Sequence, residues 1–343
     1  MKLFLKILLS ICIINTANAG KGGITIVPDE AQKKVDIFYD GKLFTSYIYP
    51  VTLEKPVLYP IYTAKGTVIT RGFPIDPRPN ERVDHPHHAG AWLNFGDVNG
   101  LDFWNNTKDV PADKKKDFGS IKHRKVVKVK NGTKEGTLII AADWVDYTGK
   151  VLLKEETKFV FGGEGDWRTI ERTTKLTAQQ EPVTFTDNKE GMIAIRMDRA
   201  FEEPSNQPEQ FVDAHGKVTE VKVVNNEGVN GVYRNSEGLE KGAVWGKPTK
   251  WVSLSAEKEG DKISVAIIDH KNNVGYPAHS HARGYGLFST NNMGSKALDP
   301  ANPLFKLTLN PGQSTTFKHK IIVKSGGFIT DEEMNRQFAA FNQ

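Results

Sequence analysis

The 343-residue sequence predicts an all-β protein, a large antiparallel β-sandwich closed by one short C-terminal helix. Three observations carry this expectation. Apolar residues alternate with polar ones in segment after segment, the period of a strand with one buried face. Asp-Gly and Asn-Gly pairs, which accept the positive φ of tight hairpin turns, punctuate those segments. Only one stretch, at the very end, repeats its apolar residues at helical spacing.

The chain opens with Lys2 and Lys6, a largely apolar run from Ile7 to Ile14, and Ala17-Asn18-Ala19 before Gly20. These are the three regions of a secretory signal peptide, and the run is too short to span a bilayer. We therefore expect an exported protein, periplasmic or extracellular, with residues 1–19 removed and residues 20–343 forming a single sandwich domain without a membrane span. The only cysteine, Cys12, lies in the segment to be removed. The mature chain then has no disulfide, no thiolate nucleophile and no cysteine-based zinc site. Loss of Lys2 and Lys6 leaves 44 Lys+Arg against 41 Asp+Glu, a formal charge of +3. The basic residues are interleaved with acids, and Lys114-Lys115-Lys116 is bracketed by Asp113 and Asp117, the pattern of a solvated loop and not of a nucleic-acid surface.

Lys34 to Tyr49 alternates and breaks at Asp40-Gly41, a hairpin. The next notable stretch is the densest in the chain, Asp84 to Trp104, DHPHHAGAWLNFGDVNGLDFW. Pro86 has no N–H for a ladder and pushes His85 towards extended geometry, so His85 to His88 should lie on a loop or strand edge. From Ala91 the pattern alternates, with Ala91, Leu93 and Phe95 on one side and Trp92 and Asn94 on the other. Asn99-Gly100 should turn the chain, and Leu101 to Trp104 should return as a second strand. Further strands are expected at Val126–Val129 and Thr137–Trp144, around Asn131-Gly132, and at Val151–Phe161, Arg168–Leu176 and Val183–Met197. The spacing continues through Val218–Val224, Lys250–Leu254, Ile263–Asp269, Arg283–Ser289, Phe305–Leu309 and Ser314–Val323. The helix is the last element: Thr330 and Glu333 form a capping box, and Met334, Phe338 and Phe341 fall on one face.

Three groups of residues have the chemistry of a site. The first is the His85, His87, His88 cluster with its neighbouring Trp92 and Trp104. In the second, Pro277 to Gly286, an extended backbone places His279, His281, Arg283 and Tyr285 on one face and Ser280, Ala282, Gly284 and Gly286 on the other. A large polar face backed by tiny residues suits a strand that packs tightly on one side and lines a cleft on the other. The third is Glu190, at the mouth of the strand that carries Arg196, where a carboxylate serves as a general base, as a metal ligand or as a surface turn residue. The two histidine groups, far apart in sequence, should meet with Glu190 in one pocket.

The pattern DHPHH-x-G-x-W-x-x-x-GDVNG-x-DFW, the later Lys189-Glu190-Gly191 with Arg196, and His281-x-Arg283-x-YGLF-x-x-N-x-x-G resemble the bacterial PmoA-like, or methane-oxygenase-like, family. The resemblance runs from Tyr59-Pro60 to the C-terminal strands. It departs at Ala89, where an Arg is usual, and at Ser280, where a Trp is usual. It implies a secreted or periplasmic protein with a sandwich similar to the galactose-mutarotase-like supersandwich, in which histidines and a carboxylate act on sugars.

Two readings follow. In the first, an enzyme of hydrolase, lyase or epimerase type uses His87, His88, His281 and Glu190 for acid–base chemistry on a sugar or glycoside. Trp92 or Trp104 then stacks on the sugar ring, and Arg196, Arg283 and Tyr285 contact it. A divalent metal on His85 and His87 or on His279 and His281 is a variant, since residues i and i+2 on a strand can converge on one ion. In the second, a non-catalytic carbohydrate-binding or envelope protein uses the histidines only as hydrogen-bonding groups.

Overall fold

The computed structural model describes residues 22–343; the expected signal peptide lies outside them. Two eight-stranded antiparallel sheets pack face to face around one apolar core. The first sheet runs, in spatial order, Ile24–Asp29, Lys34–Tyr39, Lys42–Ile48, Val57–Ile61, Ala91–Leu93, Ile193–Arg196, Leu287–Asn291 and His279–Ser280. The second runs Val232–Asn235, Trp251–Lys258, Asp261–Asp269, Ser314–Lys324, Trp167–Ala178, Val151–Glu164, Glu135–Val145 and Ser120–Lys130. Val183–Thr186 pairs with Lys306–Leu309, and Glu209–Val212 with Val218–Val221, as two small accessory sheets. Among the described residues no helix is long and apolar enough to cross a membrane.

Alternation decides which face each residue takes. Ala91, Leu93, Ile193, Ile195 and Phe288 point between the sheets, against Trp144, Phe159, Phe161 and their neighbours. Trp92, Ala194 and Leu287 point outward, where a second apolar layer with Val57, Tyr59 and Trp104 covers the outer face of the first sheet. The outer face of the second sheet is covered by the C-terminal helix, Asp331–Phe341, whose Met334 is buried against Trp251, Ile268 and Ile322. Its capping box is formed as expected: Thr330 accepts from the Glu333 N–H, and Glu333 accepts from the Thr330 N–H.

Three expected strands differ. Leu101–Trp104 is not a strand: Asn99 and Gly100 take φ of 54° and 78°, but pairing is confined to isolated bridges, Val98 with Leu101 and Asp102 with Phe118, and the Asp102 carboxylate accepts from the Trp104 and Asn105 N–H groups. Val183–Met197 is two strands in two different sheets, because the Asp187–Met192 stretch loops over the edge of the site. Arg283–Gly286 forms a tight turn, closed by the Gly286 N–H donating to the Arg283 carbonyl, so the strand begins only at Leu287.

Candidate functional site

The His-rich loop lies on the outer face of the first sheet, held there by a residue without a sequence motif. Arg71, fully buried, donates through its guanidinium to the carbonyls of Arg82, Asp84, His85 and His88 and to the Asp84 carboxylate at 2.9 Å. Arg196 reaches the same carboxylate from the neighbouring strand, at 2.7 and 3.1 Å. Two buried guanidiniums thus share one carboxylate, which is what makes their burial tolerable. Burial alone would raise the Asp84 carboxyl, but contact with the His85 imidazole and both guanidiniums holds it far below the usual carboxylate range. His85 itself has φ of 46°, a left-handed conformation that β-carbon-bearing residues adopt at a cost and that clusters at functional sites.

The loop brings the first histidine group to a cavity of about 590 Å³. His85, His87 and His88 line one side, and Asn188, Lys189 and Glu190 another. His281, Arg283 and Tyr285 complete it, so the first histidine group, Glu190 and all of the second group but His279 share one pocket. The His88 and His281 rings both lie within 6.1 Å of the Trp104 ring, which places them no more than about 12 Å apart. Glu190 is set by its neighbours' backbone: its N–H donates to Asn188 Oδ1 at 2.9 Å, and its carbonyl accepts from Gly96 at 2.8 Å. A β-carbon on Gly96 would come within 2.8 Å of the Glu190 β-carbon, so glycine is required for this approach.

The electrostatics divide the groups into two kinds. Burial raises the Glu190 carboxyl, against the opposing pull of the Lys189 ammonium 3.4 Å away. Burial lowers His87 to about 2, helped by the Lys55 ammonium, and lowers His281 to about 3, helped by the Arg283 guanidinium. Both imidazoles are therefore neutral at physiological pH, and His87 Nε2 and His281 Nδ1 have no protein partner. Burial also pushes the Tyr285 phenol up to about 12, although Arg196 opposes it.

Several expected site residues have other positions. Trp92 and Trp104 are 0% exposed, so neither ring face is open to a sugar; Trp92 donates to Asn94 at 3.0 Å and Trp104 to His88 Nε2 at 3.1 Å. The indole donor fixes Nε2 of His88 as an acceptor, and His88, 1% exposed, also has Arg196 against Nδ1 at 3.3 Å. It positions its neighbours and has no free nitrogen for a ligand. Arg196 is 0% exposed and committed to Asp84 beneath the Tyr285 ring, so it presents no surface to the cavity. His279 lies outside the cavity: its place on the strand, two residues from His281, carries it to Asn302, 3.1 Å away. The His279 and His281 pair is therefore not presented to one ion, whereas the His85 and His87 rings lie together in the cavity, 5.6 Å apart between centroids; among the described residues no three His, Cys, Asp or Glu side chains converge as metal ligands.

Across residues 34–339 the sequence matches the profile of a family described as one of unknown function, DUF6807. The chain belongs to that family. The family's description names no activity, and no curated protein matches the sequence. Solved structures that align with it include the galactosidase domain of the alpha-galactosidase-sucrose kinase AgaSK, at 10% identity and a TM-score of 0.39. That alignment covers 88% of this chain but 42% of the other, so this chain spans less than half of that protein. The GalM/aldose epimerase homologue from C. elegans aligns at 10% identity and a TM-score of 0.28, over 90% and 99% of the two chains. A galactose mutarotase related enzyme from Lactobacillus acidophilus aligns at 7% identity and a TM-score of 0.29, over 89% and 98%.

Proposed function

We propose that this protein is an exported, carbohydrate-active enzyme that performs acid–base chemistry on a sugar or glycoside, with Glu190 as the proton-exchanging group. The observation that supports it is the composition of one polar pocket: a carboxyl raised by burial, two neutral imidazoles, and a guanidinium on Arg283. A polyol needs acceptors and donors in close alternation. His87 and His281 supply acceptors that do not charge, while Arg283, Lys189 and Asn105 supply donors. A carboxyl with a raised pKa holds its proton long enough to deliver it to a departing or ring oxygen, and its conjugate base takes one back. The segment of residues 1–19 supports export, and the resemblance of the His-rich motif to the PmoA-like proteins supports the same compartment.

The test is turnover. Incubating the purified mature protein with a panel of free aldoses and 4-nitrophenyl glycosides, followed by proton NMR, should reveal conversion of at least one. Glu190→Gln should lower kcat by about 10²-fold or more while leaving the melting temperature unchanged. A rate insensitive to Glu190→Gln would remove that residue from the chemistry.

One observation favours the non-catalytic reading. Imidazoles lowered to about 2 and about 3 are weak bases, better suited to accepting hydrogen bonds than protons. If sugars bind but none is converted, and His281→Gln leaves the affinity intact, the pocket is a binding module.

A further inference from the structure

Behind His87 lies a second cavity, of about 320 Å³, whose lining differs in kind from that of the polar pocket. Leu53, Val57, Pro74, Ile75, Pro86 and Ala89 wall it with carbon, and His87 lines both cavities. Lys55, 5% exposed, lines it as well. The Lys55 amine has one hydrogen bond, to the His87 carbonyl at 2.7 Å, and lies 5.2 Å from the Trp92 ring. Among the described residues no carboxylate forms an ion pair with it, although Asp102 and Glu54 are near enough to favour its charged form. Glu54, its chain neighbour, is engaged by Ser120 and Lys122 at 2.7 Å each, and Asp102 by the Trp104 and Asn105 N–H groups and the Asn105 side chain. Lys108 and Asp109 are the other titratable groups on the cavity wall. Two further buried polar atoms on lining side chains have no partner, Asn106 Oδ1 and His87 Nε2.

We propose that this cavity is a second reactive site, in which the Lys55 amine condenses with the carbonyl group of an apolar-bodied aldehyde or ketone. A lysine serving only to pin the His87 carbonyl would be expected to bring a directly paired counter-ion into the interior, and among the described residues this one has none, Asp102 and Glu54 acting on it only from a distance. Burial lowers it to about 7, so the free amine is well populated at neutral pH, as a nucleophilic lysine requires. In the step itself the Nζ lone pair adds to the carbonyl carbon and the oxygen takes a proton, giving a carbinolamine. Loss of the amine proton and of the hydroxyl as water leaves the imine, one water released per imine formed. Asn106 Oδ1 is an acceptor available to the carbinolamine hydroxyl. The inference does not depend on the sugar reading of the neighbouring pocket.

The test is reductive trapping on the native mature protein with benzaldehyde and sodium cyanoborohydride at pH 7.5, quenched before denaturation, digestion and peptide mapping. Lys55 should acquire the benzyl group at least about tenfold faster than exposed Lys128 and Lys130, which line neither cavity. Lys55→Met should remove that modification alone. Labelling of Lys55 at or below the rate of the exposed lysines would overturn the proposal, as would a wild-type map with no benzyl group at Lys55.

Discussion

Lowering the pH from 7 to 5 should cost this protein about 4 kcal/mol at two histidines of the pocket, which refuse protons that the unfolded chain accepts. Burial lowers His87 to about 2 and His281 to about 3, from an ordinary 6.5. A group whose folded pKa is depressed contributes stability that is present above the unfolded value and lost as pH falls below it. Between pH 7 and 5 the unfolded imidazoles protonate and these two do not, which costs about 1.9 kcal/mol each at 1.36 kcal/mol per unit. His88, held well below its ordinary value by complete burial, adds to the loss, and Glu190, whose raised carboxyl gains a proton in the folded state, offsets part of it. Elsewhere His319, lowered to about 3, and Asp269, raised to about 6, lie 3.6 Å apart and act in opposite directions over this range, so they nearly cancel. A loss of that size is a large fraction of a domain's usual 5–15 kcal/mol. Urea unfolding at pH 7.0 and 5.0 and constant ionic strength measures it, and His281→Gln should remove about 2 kcal/mol of the dependence. Equal stabilities at the two pH values, within about 1 kcal/mol, would refute the assignment of these imidazoles as neutral and proton-refusing.

Other outcomes follow from the packing. Asp84→Asn leaves Arg71 and Arg196 buried without their shared counter-ion and should cost about 3–5 kcal/mol in the same assay, with loss of any pocket activity; a cost under about 1 kcal/mol would show that the guanidiniums are satisfied by the loop carbonyls alone. Truncation after Ser325 uncovers the apolar face of Trp251, Ile268 and Ile322 and removes buried Met334 with half-buried Phe338 and Phe341, a loss of about 4 kcal/mol. An unchanged melting temperature would make the helix peripheral.

The sandwich was legible because period-two alternation and tight-turn dipeptides are local signals: Asp40-Gly41 takes φ of 49° and 76° where the hairpin was expected. The meeting of His87, His281 and Glu190 was legible because each stretch carried more imidazole or carboxylate than its surroundings explained. What alternation could not convey is coverage. It correctly sends Trp92 away from the core, but the 84–88 loop and Trp104 close over that face, so both faces of the strand are buried. Arg196 was misjudged for the same reason. Arg71 was missed altogether, although an arginine directly after Val68-Ile69-Thr70, like Arg196 after Ile193-Ala194-Ile195, signals a buried guanidinium that needs a carboxylate. The split of Val183–Met197 between two sheets has no local signal beyond the turn residues Asp187 to Gly191.

The central claim is that the pocket between the two histidine groups is where a sugar binds. Saturation-transfer NMR with a panel of monosaccharides and methyl glycosides, on the wild-type protein and on Arg283→Ala, tests it directly. Arg283 lines the pocket with its guanidinium against the Trp245 ring and pairs with no carboxylate among the described residues, so its removal should leave the fold intact. The account predicts transfer to at least one sugar in the wild type and its loss in Arg283→Ala at an unchanged melting temperature. Transfer of equal strength in both proteins, or none to any sugar in the wild type, would contradict it.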